Sequence, residues 1–341
     1  MKLIDTKDAV GQVLCHDITQ IIKGVKKGRV FKKGHVVREE DIPVLLSVGK
    51  EHLYILEKDE NMLHENDAAE ILRVINQGEN IEASEVKEGK IELFASCDGL
   101  FKLDIETLDK LNDLDDICIS TIQSNYPVKK GDKLCGMRVT PLLIEKEKMN
   151  EVKKIAGCHA LMNVLPFKPK KVGIVTTGSE VYNGLIKDGF GSVIRAKFAP
   201  YDAEILGQDI VDDKMDMICS SIKKYLDMGA DIIICTGGMS VDPDDITPTA
   251  IKESGAEIIS YGAPVLPGAM FLLSYFEGRV PILGLPGGVM FAPTTVFDLV
   301  LPRIMADEVL TKKDIKRMWY GGLCLGCKTC HYPNCNFGKS K

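Results

Sequence analysis

The sequence predicts an α/β protein whose largest domain is a three-layer, parallel-type sheet, preceded by smaller α+β and β-rich domains. Two observations predict the sheet. Strand-like apolar runs alternate with helical runs across residues 171–310, as in "VGIVTTG", "MDMICSSIKKYLDMG", "DIIICTGG" and "VPILGLPGG". The strand-like runs are also almost continuously apolar, which is typical of parallel strands covered by helices on both faces.

Length and composition narrow the class of protein. A chain of 341 residues is long enough for two or three domains, and its 27% charged residues are ordinary for a soluble globular protein. The net charge of −6 gives no general affinity for nucleic acid or an anionic membrane. No apolar run approaches the about 20 residues of a membrane span, and the N-terminus does not resemble a signal peptide. We therefore expect a cytoplasmic protein that binds neither nucleic acid nor membrane.

The regions before the sheet differ in pattern. The first residues hold short strand and turn signals and a short helix after Pro43. A helical pattern at 65–78 is followed by short alternating runs separated by turns, which indicates a barrel or sandwich. We expect four segments: an α+β segment (1–57), a helix with a β-rich module (58–165), the α/β domain (171–310) and a cysteine-rich tail (311–341).

Three strands of the α/β domain end in glycine loops, "TTGSE", "TGGMS" and "GLPGG". In a parallel sheet these loops lie at the carboxyl edge, where α/β proteins bind ligands. Their backbone N–H groups allow close approach of an anion, and we expect added donors from the hydroxyls of Thr176, Thr177, Ser179, Thr236 and Ser240. The pattern favours a phosphate or a polar pterin-like ring. The alternative is that each glycine only turns the chain.

The fingerprints of dinucleotide and P-loop domains are absent from the sequence.

Aspartates follow two of the predicted strands. Asp212 and Asp213 end "EILGQDIV", whereas Asp242, Asp244 and Asp245 follow the second glycine loop. Carboxylates beside a phosphate site commonly hold Mg²⁺. Thr247 and Pro248 then fit the N-cap and first position of a helix. The alternative is that these aspartates are only turn and cap residues.

At these residues the sequence resembles a known family. "TTGSE", "TGGMSVDPDDITP" and "GLPGG", in this order, are similar to the molybdopterin-binding domain of molybdopterin adenylyltransferases, molybdopterin molybdenumtransferases (MoeA and gephyrin type) and CinA-like proteins. A weaker resemblance, at residues 32–56, is to the segment that precedes this domain in the molybdenumtransferases.

The resemblance implies that the loops hold a pterin-dithiolene phosphate of molybdopterin or its molybdenum-loaded form. It implies Mg²⁺-dependent nucleotide chemistry with ATP or AMP at the catalytic, metal-binding residues Asp212 and Asp245, and it implies a homo-oligomer. The implied cofactor-binding residues are Thr177, Gly178, Ser179, Glu180, Thr236, Gly237, Gly238, Ser240, Pro267, Gly268, Leu285, Pro286, Gly287 and Gly288.

The chain departs from the family's pattern at several positions. The transferases usually carry P-G-K-P and G-L-P-G-N-P, whereas this chain has "LPGAMF" and "GLPGGVMF". The first departure removes a lysine that is a phosphate partner, and Gly288-Val289 replaces Asn-Pro. The transferases also carry an M-D-G-Y-A motif, which "CDGLF" in this chain matches only weakly.

Four of the eleven cysteines lie close together near the end of the chain. Cys324, Cys327, Cys330 and Cys335 form C-x2-C-x2-C-x4-C, with His331 beside the third. Thiolates two residues apart can converge on one metal centre, so we expect an iron–sulfur cluster or zinc, with metal-free thiol chemistry as the alternative. The other seven are expected to be free, buried cysteines that pack as small hydrophobes.

Three functions remain open from the sequence. The first is an enzyme of molybdenum cofactor maturation, a transferase that binds molybdopterin or its adenylate and handles molybdate or nucleotide. The second is a non-catalytic carrier that passes finished cofactor to a client molybdoenzyme, which the lost lysine and the cysteine tail favour. The third is a CinA-like nucleotide hydrolase.

Overall fold

The computed structural model describes residues 2–22, 26–55, 60–240, 242 and 245–339. The chain divides into two compact units, of which the first contains residues 1–94, 106–121 and 133–161. The second contains residues 95–105, 122–132 and 162–341. The stretch 58–165, which the sequence suggests as one module, thus contributes to both units. None of the helices described has the length and apolar character that a membrane crossing needs.

In its described residues, the part of the chain before the α/β domain is built from short strands and four helices. The strands are β1 (Lys2–Asp5), β2 (Ile18–Ile22), β3 (Lys26–Phe31), β4 (His52–Ile55), β5 (Met62–His64), β6 (Ile81–Ala83), β7 (Lys90–Ala95), β8 (Gly99–Leu103), β9 (Ile117–Thr121), β10 (Tyr126–Val128), β11 (Lys133–Val139), β12 (Leu143–Glu145) and β13 (Met162–Pro166). The helices are α1 (Ile42–Ser47), α2 (Glu65–Asn76), α3 (Ile105–Asn112) and α4 (Lys146–Ala156), with 3₁₀ turns at Thr6–Asp8 and Glu39–Asp41.

The first unit contains several small sheets. β1 pairs antiparallel with β4, β5 with β12, and β2 with β3. A four-stranded sheet has the order β6-β7-β11-β9, in which β11 is antiparallel to both β7 and β9. The N-terminal part has a small hydrophobic core of its own, which consists of Ala9, Leu14, Ile18, Val37, Leu45 and Leu53.

The second unit holds the α/β domain. Its strands are β14 (Lys170–Thr177), β15 (Ala203–Val211), β16 (Ile232–Thr236), β17 (Ala256–Tyr261), β18 (Leu272–Phe276) and β19 (Val280–Leu285). Its helices are α5 (Ser179–Tyr182), α6 (Phe190–Phe198), α7 (Met215–Asp227), α8 (Thr247–Glu253), α9 (Gly288–Phe291), α10 (Val296–Met305) and α11 (Lys312–Arg317). The same unit includes a three-stranded antiparallel sheet in the order β10-β8-β13.

The α/β prediction is confirmed by a mostly parallel, six-stranded sheet in the order β15-β14-β16-β19-β18-β17. Side chains of consecutive residues along a central strand pack in different hydrophobic clusters, one on each face of the sheet. Ile232 and Ile234 pack in the cluster that contains residues of α6 and α10, whereas Ile233 and Cys235 pack in the cluster that contains residues of α7 and α8. Both faces of these strands are therefore covered, which explains why they are apolar at every position.

One strand departs from the parallel expectation. β18 is antiparallel to both β17 and β19. The reason is a three-residue connection (277–279) between β18 and β19, in which Glu277 and Gly278 have φ of 49° and 67°. Successive residues with positive φ form the tight turn of a β-hairpin, which can join only antiparallel strands.

The cysteines outside the tail only partly match the expectation. Cys15, Cys135 and Cys235 are free and buried. Cys97 and Cys219 are half-buried, while Cys118 and Cys158 are exposed. The expectation of burial is wrong for the exposed pair; Cys118 lies on β9, where every second side chain faces away from the core.

A buried guanidinium joins the end of α10 to α11. Arg303 is 6% exposed, and its Nε donates to Glu308 Oε2 at 2.8 Å. Its Nη2 donates to Asp314 Oδ1 at 3.0 Å. Lys102 of β8 reaches the same Glu308 carboxylate at 2.9 Å, so the three-stranded sheet is tied to this network.

We expect Asp314→Asn to reduce the acid sensitivity of the fold. Hydrogen bonds from Thr311 and Arg303 hold the pKa of Asp314 at about 2, below its usual 3.8. A carboxyl with a depressed folded pKa stabilises the protein above its unfolded pKa, and that stabilisation disappears as the pH falls from about 4 to about 2. The half-exposed position limits the loss at pH 7 to about 1 kcal/mol.

Thermal unfolding midpoints between pH 7 and pH 2 measure this effect. The wild type should lose stability more steeply than Asp314→Asn below pH 4. Asp227→Asn, at an exposed helix end, is the matched control and should follow the wild type. Parallel curves for wild type and Asp314→Asn would show that the carboxylate does not contribute as described.

Candidate functional site

Four parallel strands end at a common level. Thr177, the last residue of β14, lies opposite Val211, the last residue of β15. Thr236, the last residue of β16, lies between Thr176 of β14 and Leu285, the last residue of β19. The segments that follow therefore leave the sheet at one edge. We call them the first loop (residue 178 and the short helix α5), the second loop (237–240, 242 and 245–246 among the described residues) and the third loop (286–289, which includes the start of α9).

The turn at Pro267 and Gly268 belongs to the same edge. It precedes β18, whose first residue, Leu272, lies opposite Gly284 near the end of β19. The Cβ of Pro267 comes within 4.0 Å of the position that a Cβ of Gly288 would take. The turn is thus a neighbour of the third loop.

The threonines at this edge point inward. Thr176, Thr177 and Thr236 are at most 2% exposed. Thr236 Oγ1 donates to Thr176 Oγ1 at 3.2 Å, and Thr177 Oγ1 bonds with Thr247 Oγ1 at 3.1 Å. These hydroxyls join the strand ends to one another and to α8. These side chains are therefore directed into the protein, and Thr177, Thr236 and Leu285 are buried as whole residues.

The glycines of the second loop are required by packing. Gly237 and Gly238 have φ of 86° and 54°, which side chains rarely tolerate. A Cβ on Gly237 would overlap the carbonyl oxygen of Thr177, and one on Gly238 would lie 2.7 Å from Thr247 Oγ1. The second loop therefore packs on the end of β14 at Gly237 and on the start of α8 at Gly238, and these contacts account for the two glycines.

Packing within the protein does not require the glycines of the third loop. Gly287 has an ordinary φ of −52°, and no atom lies within 4 Å of an added Cβ. Gly288 has only the distant contact with Pro267. Bare backbone therefore faces open space here, which is the arrangement that close approach of a ligand needs.

Asp212 and Asp213 hold the first loop. Ser179 Oγ donates to Asp212 Oδ1 at 2.7 Å, while the Ser179 N–H donates to Asp213 Oδ2 at 2.8 Å. Lys214 Nζ pairs with Asp212 Oδ2 at 2.8 Å. The lysine and the serine hydroxyl lower the pKa of Asp212 from its ordinary value. Asp212 is thus an ionised carboxylate in contact with the loop.

Asp245 holds the second loop in a similar way. Its Oδ2 accepts from the Ser240 N–H at 2.8 Å. Tyr261, the last residue of β17, donates to the carbonyls of Met239 and Ser240 at 3.0 and 3.3 Å. Asp244 lies outside the described residues. Thr247 is the first residue of α8, after the N-cap Ile246, so the expected cap is shifted by one residue.

The remaining predicted site residues differ in exposure. Glu180 and Ser240 are exposed, Pro286 is half-buried, and Gly268 is buried under Val296, which a Cβ there would approach to 2.6 Å. Gly268 is therefore explained by packing, as Gly237 is. Lys214 and Tyr261 were not predicted; the signal for Lys214 was its place directly after two strand-end aspartates.

The two aspartates have the right chemistry for Mg²⁺. The ion prefers oxygen ligands and is commonly bound by one or two carboxylates together with substrate phosphates. Among the described residues, no three His, Cys, Asp or Glu side chains form a ready-made metal site. Both carboxylates supply oxygen ligands of this kind, and that of Asp212 is already paired with the exposed Lys214.

The tail cysteines border a single cavity. Cys324, Cys327, Cys330 and Cys335 line a space of about 330 Å³, together with His331 and the Pro267 of the edge turn. Cys324 N–H donates to the Leu266 carbonyl at 2.8 Å. The sequence did not indicate that the tail returns to this turn.

Comparison with known proteins agrees with the site's position. Residues 173–306 match the family model described as a probable molybdopterin binding domain. A second model, of a domain of unknown function, matches residues 3–57. The molybdopterin-binding match covers β14 to α10 and contains the three loops and both aspartates.

Curated relatives match part of the chain. A molybdopterin molybdenumtransferase of Staphylococcus aureus is 26% identical over 144 residues, which are 39% of this chain and 33% of that protein. One of Synechococcus elongatus is 22% identical over 177 residues, 49% of this chain and 44% of that protein. The chain therefore spans less than half the length of these relatives. The solved structure of the molybdopterin biosynthesis enzyme MoaB from Thermus thermophilus is 25% identical, with a TM-score of 0.33, covering 40% of this chain and 91% of that one.

We expect Gly237→Ala to destabilise the α/β domain by about 2–4 kcal/mol, because the new methyl combines an unfavourable φ with an overlap on backbone. Gly229→Ala is the control, since its φ of 77° is similarly unfavourable but no atom lies within 4 Å. Urea unfolding should show a loss of about 1 kcal/mol for the control. Equal losses in the two variants would contradict the close contact between the second loop and β14.

Proposed function

We propose that the α/β domain binds a phosphorylated pterin of the molybdopterin class at the carboxyl edge of its sheet and acts in molybdenum cofactor biosynthesis. The observation that carries the proposal is the open backbone of Gly287 and Gly288 beside Pro267, level with the two other glycine loops. The molybdopterin-binding match over residues 173–306 supports the ligand class. The names of the curated relatives support the pathway.

The chemistry divides between backbone and carboxylates. Exposed backbone N–H groups of the glycine loops suit phosphate oxygens, because they donate hydrogen bonds without a Cβ in the way. Lys214, 63% exposed by its side chain, adds a positive charge at the same edge. Asp212 and Asp245 would be the ligands of a bound Mg²⁺, which would neutralise part of the phosphate charge. Ser179 and Ser240, fixed by these aspartates, keep the first and second loops in place.

The proposed enzyme is a transferase that handles molybdate or a nucleotide on the bound pterin. The carrier alternative, with delivery to a client molybdoenzyme, is supported by two observations. The family's P-G-K-P lysine is replaced in "LPGAMF", and Asp212 is already paired with Lys214.

Incubation of the protein with molybdopterin, Mg²⁺-ATP and molybdate separates the functions. Formation of adenylated pterin, or its molybdate-dependent cleavage, would indicate the transferase. Pterin that stays bound without turnover would indicate the carrier. Nucleotide hydrolysis without pterin binding would indicate the CinA-like enzyme.

We expect Gly287→Ala to weaken molybdopterin binding at least tenfold, about 1.4 kcal/mol, while leaving stability unchanged. The methyl would occupy open space next to the third loop, so it clashes with a ligand and not with the protein. Gly136→Ala, in β11 of the first unit, is the control and should bind as the wild type does. Fluorescence titration with the pterin measures affinity, and thermal unfolding measures stability. Unchanged affinity would remove the third loop from the site.

We expect Asp245→Asn to lower turnover at least a hundredfold if the carboxylate holds the metal, because charge stabilisation by a bound ion contributes on that scale. The amide oxygen can still accept from Ser240 N–H, so the loop and the pterin affinity should be retained. Asp242→Asn, an exposed neighbour on the same loop, is the matched control. Unaltered turnover in Asp245→Asn would leave Asp245 as a loop anchor only.

A further inference from the structure

The cysteine tail is a second site candidate, separate from the glycine loops and the aspartates. Its four thiols, spaced C-x2-C-x2-C-x4-C between 324 and 335, surround one cavity. All four are free, and Cys327 and Cys330 are exposed. Packing as small hydrophobes is open to the half-buried Cys324 and Cys335, which lie against the domain core, but it cannot explain Cys327 and Cys330.

The backbone of the tail is fixed by packing. Leu323 forms a parallel bridge with Leu266, closed by Leu266 N–H to Gly322 O and Cys324 N–H to Leu266 O, both at 2.8 Å. Tyr332 OH donates to the Asp298 carbonyl at 2.9 Å, and Phe337 is 3% exposed in the domain core. The cysteines therefore sit on a loop anchored at both ends. A preformed loop reduces the ordering entropy that a metal would have to offset.

The cavity can accept a metal centre after side-chain rotation. Its volume of about 330 Å³ is roughly ten times the space of a water molecule. In the described residues no three thiols converge on one point, and Cys330 Sγ instead bonds with Thr294 Oγ1 at 3.1 Å. Because χ1 is the only side-chain torsion before the sulfur of a cysteine, rotation about it redirects each thiol that lines the cavity. Lys328, between two of them, offsets part of the thiolate charge.

We propose that Cys324, Cys327, Cys330 and Cys335 bind one thiolate-ligated metal centre. Four thiolates are the ligand set of both structural zinc and iron–sulfur clusters. Each thiol loses its proton to solvent on binding, so affinity rises with pH. The proposal is independent of the pterin site, although Pro267 borders both places.

Metal content of the full chain, purified without oxygen, tests the proposal. We expect either about one zinc or several irons with a matching amount of acid-labile sulfide per chain; the first identifies a single ion and the second a cluster. Protein stripped with a chelator should recover the same centre when supplied with Zn²⁺ or with iron and sulfide. Loading should protect the four tail thiols from a thiol reagent.

The double variant Cys327→Ser/Cys330→Ser provides the sharpest comparison. Both positions are exposed, so the fold should survive, which a thermal midpoint equal to that of metal-free wild type would verify. Metal content should fall at least tenfold. Cys118→Ser/Cys158→Ser, also at exposed positions, is the control and should keep its metal. The proposal would be overturned by any of three results. The tail variant could retain its metal, the control could lose as much metal as the tail variant, or the wild type could contain no metal even after reconstitution.

Discussion

The common level at which β14, β15, β16 and β19 end is the constraint on which the candidate site depends. It is set by the parallel register, in which Thr236 pairs with Thr176 on one side and Leu285 on the other. Buried threonine hydroxyls hold that level by bonding across strands. Because the strand ends are fixed, three loops that are far apart in sequence leave the sheet from neighbouring strands, at the edge where parallel α/β sheets bind ligands.

The same edge explains why polar residues accumulate there. Asp213 and Asp245 each accept a hydrogen bond from the backbone of a glycine loop, at Ser179 and Ser240. A carboxylate that satisfies a loop N–H also places negative charge beside the proposed phosphate, which a divalent cation or Lys214 would have to balance. The positions of the loops and the demand for a cation are therefore consequences of one arrangement.

The sequence predicted the parts of this structure that follow from periodicity. Apolar strands, intervening helices and the glycine loops of the α/β domain were recognisable because both sheet faces are buried. The antiparallel β18 was missed because its direction depends on the positive φ of Glu277 and Gly278, which composition hardly signals. At the candidate site, the sequence indicated which loops leave the same edge of the sheet but not which groups point outward. Thr177 and Thr236 turn inward, Gly237 serves packing, and Lys214 pairs with Asp212, all of which depend on contacts between distant residues.

Backbone hydrogen exchange with and without molybdopterin tests the central claim most directly. If the edge receives the phosphorylated pterin, addition of the ligand should slow exchange of amides in the first, second and third loops together, while amides of α4 and α11 remain unchanged. Slowed exchange confined to one loop, or located away from the carboxyl edge, would contradict the account.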